Sequence, residues 1–210
     1  MIPFAFNSST NLSSPYDRMN TDQFFQKIRT YTDLSANSEQ AWQALLKEKK
    51  YPKGDNFVNT GQIPHKVAFV TKGLFSQFYI ADSGDTVIKY FFPEGTIAGS
   101  IPATLKKSES HFTITALEDT SVLEYNFAEF KKLVSSYPDI AEFYIRYMER
   151  HWIIDKEPYE IALRHDSART RYDEFLKKHP GLVKRLKKHH IAAYLGITPT
   201  QLSRIFLAGK

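Results

Sequence analysis

Short apolar runs separated by turn residues fill the middle of this 210-residue chain, and they constrain its fold more than any other feature. The runs cover residues 57–58, 67–70, 74–80, 86–92, 112–116 and 122–125. The sequence Asp82-Ser83-Gly84-Asp85 between two of these runs is typical of a hairpin turn. Short strands with turns at this regular spacing predict an antiparallel roll or barrel.

Helical periodicity flanks these runs on both sides. Ser38 is a predicted N-cap within the helical stretch 21–50, and Ser167 is a predicted N-cap near the C-terminal end. A short amphipathic helix after residue 126 leads into a long one, whose apolar face repeats from Ile140 to Ile161. We expect this face to pack on its own roll or on the same helix of a second subunit, and Pro158 to kink the helix.

The sequence therefore predicts an α+β fold, in which an antiparallel β-roll with flanking helices precedes a long helix and a helical C-terminal domain. The predicted divisions are a flexible N terminus, the roll, the long helix and the C-terminal domain, covering residues 1–20, 21–136, 137–162 and 163–210.

Residues 189–206 predict two short helices joined by a tight turn. Gly196 suits the left-handed backbone at a helix C-cap, Thr198 can cap the next helix, and Pro199 falls at its first position. Such a helix-turn-helix can lay its second helix in the DNA major groove. The alternative is a packed helical hairpin without a ligand.

Positive charge is concentrated in the same region. Residues 163–210 hold eleven Lys and Arg against three acidic residues, a balance of +8, whereas the rest of the chain has a balance of −3. A basic C-terminal segment on a mildly acidic body is what binding to DNA phosphates requires. Taken alone, the basic residues of 184–188 also fit a solvated helix face.

Several classes of site are excluded or unsupported. The chain has no cysteine, which excludes disulfides, thiolate zinc sites and cysteine-ligated iron–sulfur clusters. No apolar run approaches the ~20 residues of a membrane span, and no secretion signal is evident, so we expect a cytoplasmic protein with no membrane partner. Adjacent His189 and His190 lack the spacing of a helical metal pair, and no catalytic motif is present. We expect no enzymatic activity, metal or cofactor.

Local phrases give the chain a resemblance to the Crp–Fnr family of bacterial transcription regulators. They are Tyr51–Gly54, Phe69–Gly73, Phe92–Gly95, Ala116–Asp119 and, most specifically, His190–Pro199 with Leu202–Ile205. The resemblance covers residues from about 38 to 206. It implies a cyclic-nucleotide-binding-like jelly roll, a long dimerisation helix and a DNA-binding helix-turn-helix. It also implies a homodimer that binds double-stranded DNA and RNA polymerase. The last residues, 206–210, resemble the ends of family members that have no β-hairpin wing after the recognition helix. For such a chain we expect fewer phosphate contacts.

The resemblance also implies site residues in the C-terminal domain. The residues expected to contact bases are Thr200, Gln201, Ser203 and Arg204. The residues expected to contact phosphates are Thr198, Arg169, Arg171, Lys184, Arg185, Lys187 and Lys188. Well-known members often carry Arg and Glu where this chain has Pro199 and Thr200, so we expect a different operator.

The effector site departs from the family pattern. Without a gap from Gly95, the family's Gly-Glu pair falls on Gly99-Ser100 and its phosphate-binding Arg on Ser110-His111. Since both charged contacts are missing, we expect no response to cyclic AMP. Two alternatives remain for an effector: a different anion held by His111 with Lys106 or Lys107, or a roll without a ligand that serves for dimerisation. The alternative function is an effector-binding or assembly protein whose helix-turn-helix no longer binds DNA.

Overall fold

The computed structural model of the chain describes residues 15–207, and two four-stranded antiparallel sheets face each other within this range. One sheet has the order β1-β8-β3-β6 and the other the order β2-β7-β4-β5. The strands are β1 (Lys47–Tyr51), β2 (Asn56–Val58), β3 (Lys66–Lys72), β4 (Phe75–Ile80), β5 (Thr86–Phe92), β6 (Ile97–Ala98), β7 (Thr113–Ala116) and β8 (Thr120–Asn126). The predicted antiparallel roll is confirmed.

Strand β3 shows how the roll forms two layers of core. Ala68 and Val70 pack between the sheets, whereas Val67 and Phe69 point outward to a layer of helices, and all four side chains are buried. The strand therefore has apolar residues on both faces, as expected when a sheet is covered on both sides.

Helices cover the outer face of the first sheet. They are α1 (Pro15–Arg29), α2 (Ala36–Gln43), α4 (Phe127–Ser136) and α5 (Pro138–Met148), while α3 (Ile101–Lys106) follows β6. Trp42, fully buried, centres this layer with its ring 5.2 Å from that of Phe24 and 5.1 Å from that of Phe143.

The N-terminal helices differ in two details from the predictions. Helix α1 begins inside the segment predicted to be flexible, of which residues 1–14 lie outside the described range. The N-cap of α2 is Ser35, whose Oγ accepts the N–H of Ser38, and not Ser38 itself. Ser38 instead donates its hydroxyl to Asp139 Oδ1 at 2.7 Å, and this bond ties α2 to α5.

The predicted long helix is a continuous helical segment with a change of winding. Helix α5 passes into a π-helical turn (Glu149–Ile154), and α6 (Lys156–His165) follows. Pro158 is the third residue of α6, and the change of winding lies before it, in the π-helical turn. Four isoleucines along the segment are 56–62% exposed, namely Ile145, Ile153, Ile154 and Ile161.

Four further helices form a C-terminal helical unit. They are α7 (Ala168–Lys178), α8 (Pro180–Val183), α9 (Lys188–Leu195) and α10 (Pro199–Leu207). As predicted, Ser167 caps α7 by accepting the N–H of Thr170 at 3.1 Å. The unit packs on the outer face of the second sheet, and the two share one apolar cluster.

No helix within residues 15–207 combines the length and the apolar composition that crossing a bilayer requires.

Candidate functional site

The turn between α9 and α10 has the predicted capping geometry. Gly196 closes α9 with φ of 66° and ψ of 36°, the left-handed backbone that glycine adopts without strain. Thr198 Oγ1 accepts the N–H of Gln201 at 3.2 Å, and Gln201 Oε1 accepts the N–H of Thr198 at 2.9 Å. This reciprocal pair is a capping box and fixes the angle at which α10 leaves the turn.

Helix α10 has one buried and one exposed side. Leu202 is 3% exposed and packs in the unit's core, whereas Thr200, Gln201 and Arg204 are exposed. Residues three and four positions apart share a helix face, so these three lie together, with half-buried Ser203 beside them. The capping box occupies the Gln201 oxygen, which a bidentate contact to adenine also needs.

Three arginines predicted to contact phosphates are engaged within the chain. Arg171 donates to the carbonyl oxygens of Asp166 (2.6 Å) and Leu195 (3.0 Å), so it ties α7 to the end of α9. Arg169 pairs with Asp173 at 2.9 Å and donates to the carbonyl oxygen of Ile205.

The third arginine, Arg185, reaches the roll. Its guanidinium binds the carboxylates of Glu94 and Glu118, with shortest distances of 2.8 and 2.7 Å. In this arrangement its donors are directed at the roll and not at solvent.

The predicted lysines have a different environment. Lys184 and Lys187 are exposed and form no ion pair within the described part of the chain. Lys188 Nζ lies 5.4 Å from the centre of the Phe206 ring. These lysines are the members of the predicted phosphate set whose charge faces outward. Thr198, at the cap of α10, is the uncharged member of the set.

His190 lies near this basic region and is half-buried. Burial, and secondarily the charges of His189, Lys187 and Lys53, lowers the pKa of His190 to about 4. Its Nδ1 is buried without a hydrogen-bond partner. The imidazole is therefore neutral at pH 7 and serves packing.

The predicted effector residues lie together, but their polar atoms are already satisfied. The Oγ atoms of Ser100 and Ser110 are 2.9 Å apart, and both side chains are buried. Ser110 Oγ also donates to the carbonyl oxygen of Phe112 and accepts its N–H. A Cβ at Gly99 would approach Val67 Cγ1 to 2.9 Å, so the backbone there is close-packed. His111 is exposed.

A cavity of about 120 Å³ lies between β1, β2 and the start of β3. Ligand pockets generally measure about 300–1,000 Å³, so this one is small for a nucleotide. Near it Glu124, only 6% exposed, accepts from Tyr51 Oη (3.0 Å) and Lys66 Nζ (2.6 Å). Burial and the Glu124 charge raise the pKa of Tyr51, which keeps its hydroxyl protonated as the donor. Within residues 15–207 no group of three or more His, Asp and Glu has the arrangement of a metal site.

The chain is similar to known proteins in its roll and in its overall fold. Residues 48–137 match the cyclic nucleotide-binding domain. FixK2 from Bradyrhizobium japonicum superposes with a TM-score of 0.66 at 18% identity, covering 78% of this chain and 84% of that one. CLP, a c-di-GMP responsive global regulator from Xanthomonas campestris, gives a TM-score of 0.65 at 14% identity, covering 83% and 91%.

Catabolite activator protein from Thermus thermophilus gives a TM-score of 0.53 at 20% identity, covering 87% of this chain and 85% of that one. At these identities the likeness shows a shared fold. No curated protein matches the chain in sequence. The domain match and these neighbours confirm the predicted fold class, an antiparallel roll with flanking helices and a helical C-terminal region.

The sequence interpretation missed the partners of Arg185. Both carboxylates stand in phrases that carried the family resemblance, Glu94 in Phe92–Gly95 and Glu118 in Ala116–Asp119. Two acidic residues in turns at the same end of a roll are a recognisable feature, but nothing in the sequence says which arginine they bind.

Proposed function

We propose that the chain is a dimeric, sequence-specific DNA-binding transcription regulator of the Crp–Fnr type that does not respond to cyclic AMP. The observation that carries this proposal is the exposed polar face of α10, which presents Thr200, Gln201 and Arg204 from a helix fixed by a capping box. Arg204 is the base-reading candidate with the best chemistry, because an arginine can donate two bonds to one guanine.

Selection of bound duplexes from a random pool tests this function. We expect one two-fold symmetric sequence for the wild type, and Arg204→Ala should lose discrimination at one base pair of each half-site, by about 1–3 kcal/mol. Arg164→Ala, which removes an exposed arginine from α6, is the matched control and should keep the preference. An unchanged sequence preference in Arg204→Ala would remove Arg204 from the reading set.

The exposed isoleucines of the long helical segment support a homodimer in which this segment pairs with its copy. Ile154 and Ile161 stand seven residues apart, and each is 58% exposed. We expect Ile154→Glu to convert the dimer to a monomer in sedimentation velocity, because burying an unpaired carboxylate opposes association. Ile63→Glu on the roll, where the isoleucine is 55% exposed, is the control and should remain dimeric.

The effector region supports independence from cyclic AMP, since Ser100 and Ser110 satisfy each other and no buried cation stands beside them in residues 15–207. Calorimetric titration with cyclic AMP should give no binding heat. An unidentified effector and contact with RNA polymerase remain proposals, as do a cytoplasmic location and the absence of catalysis.

A second candidate function has its own observation. Because Arg169, Arg171 and Arg185 are engaged within the chain, the phosphate-binding charge is smaller than the sequence count indicates. This favours an effector-binding or assembly protein whose helix pair no longer binds DNA. If no duplex is selected from the pool even at low salt, that result would support this candidate over the regulator.

A further inference from the structure

Arg185 joins the C-terminal helical unit to the roll through two carboxylates. Its Nε and Nη2 donate to Glu118 at 3.0 and 2.7 Å, and its Nη1 and Nη2 donate to Glu94 at 2.8 and 3.0 Å. Glu94 Oε1 also accepts the N–H of Gly73 at 2.8 Å, so this carboxylate is itself held by the turn before β4. Paired donation of this kind is the most directional contact an arginine makes.

The contact stands at the edge of an apolar interface. Ile88 and Phe91 point outward from β5 and are buried in the cluster shared with the helical unit. A bulge makes this possible: Gln77 pairs with Tyr90 and Phe78 with Ile88, so Lys89 is the extra residue of β5. The Phe91 ring lies 5.3 Å from that of Tyr194 and 6.4 Å from that of Phe175.

The charges at this contact respond to solvent conditions. The side chains of Arg185, Glu94 and Glu118 are 29%, 36% and 35% exposed. Two carboxylates face one guanidinium, so an added anion competes with them for Arg185 and salt screens the attraction. The apolar interface behind them does not depend on ion pairing.

We propose that Arg185, Glu94 and Glu118 form an ionic latch that holds the C-terminal helical unit on the outer face of the roll, and that opening the latch releases the unit. Helix α10 belongs to this unit, so the closed latch fixes its direction relative to the roll. The latch is a property of the free protein and does not depend on whether α10 binds DNA.

A buried thiol can report release, because the chain has no cysteine of its own. Ile88→Cys places one thiol on β5, where Ile88 is 4% exposed and covered by the helical unit. Its rate of reaction with a water-soluble thiol reagent then follows how often the unit leaves the roll. Leu186→Cys is the second reporter, on the opposite side of the interface, and is used if Ile88→Cys does not fold.

The double variant Glu94→Gln with Glu118→Gln is designed to open the latch. It removes both negative charges, and the amide at position 94 keeps an oxygen that can accept the Gly73 N–H. We expect thiol labelling to become faster by on the order of tenfold, since two partly exposed charge pairs are removed. The matched control is Glu129→Gln with Glu174→Gln, which removes two carboxylates paired within single helices and should leave the rate unchanged.

Two further measurements separate release from unfolding and from other causes. A thiol at Ala98→Cys, buried between the sheets, should react slowly in both backgrounds. Raising KCl from about 0.05 to about 0.5 M should speed labelling at the interface with the latch intact but not in the latch variant. Equal labelling rates with and without the latch carboxylates would overturn the proposal, and so would equal acceleration at the Ala98→Cys thiol.

Discussion

At the scale of single residues, the neutral ring of His190 should make the stability of the C-terminal unit fall as the pH is lowered. The pKa of His190 in the folded protein, about 4, lies below the value near 6.5 of an unfolded chain. The unfolded state therefore binds the proton first, so the contribution to stability is complete above about pH 6.5 and is lost as the pH falls toward 4. Glu94 and Asp139 have lowered pKa values, despite burial that raises them, because hydrogen bonds favour their charged forms; their contributions are lost at lower pH.

We predict that His190→Gln loses less stability than the wild type between pH 7 and pH 5. The difference should be at most about 1 kcal/mol, since the ring is only half-buried and solvent screens its charge. Urea unfolding at both pH values measures it. His151 and His179, whose pKa values burial also lowers, are present in both proteins and cancel in the comparison. Identical pH dependence in the two proteins would contradict this role of His190.

Individual polar residues also show the limit of reading a site from its sequence. The sequence correctly predicted Thr198 as a cap, because cap and turn residues act on their own backbone. It did not predict that Gln201 completes the cap or that Arg171 binds two carbonyl oxygens. Those assignments depend on which groups tertiary packing brings within reach.

At the scale of elements, the turn at Gly196 offers a prediction with a control in the same unit. A Cβ at Gly196 meets nothing within 4 Å, so Gly196→Ala costs only the strain of its positive φ, about 1 kcal/mol. Gly181 in α8 also has open space around it and no positive φ, so Gly181→Ala should be neutral or slightly stabilising. Thermal unfolding of the two variants compares them, and an equal loss of stability in both would contradict the importance of the left-handed cap.

Elements with strong local patterns could be predicted, and those made by their neighbours could not. Strands β3, β5 and β8 carry alternating or continuous apolar residues and were predicted. Strand β1, Lys-Glu-Lys-Lys-Tyr, has no such pattern and is a strand because it pairs with β8 along the sheet edge. The six-residue helix α3 was likewise missed, since it is too short for a periodic pattern.

At the scale of the whole molecule, the placement of each charge says more about DNA binding than the net charge does. The balance of +8 over residues 163–210 includes Arg171 and Arg185, whose donors are directed at carbonyl oxygens and at the roll. A count from the sequence cannot separate such structural arginines from cations that face solvent. The structure makes that separation, and it changes what the proposed DNA complex should show.

We predict that Lys187→Gln changes the salt dependence of DNA binding, whereas Arg171→Gln changes the stability of the protein. Removing one phosphate-binding cation changes the slope of log K against log salt by about 0.9, so Lys187→Gln should flatten the slope by about 2 per dimer. Arg171→Gln should leave the slope unchanged and instead lower the free energy of unfolding by about 1–3 kcal/mol, because it strands two carbonyl oxygens. Fluorescence anisotropy at several salt concentrations, with urea unfolding of the same proteins, measures both quantities. A flattened slope for Arg171→Gln would mean that its guanidinium leaves Asp166 and Leu195 to bind phosphate.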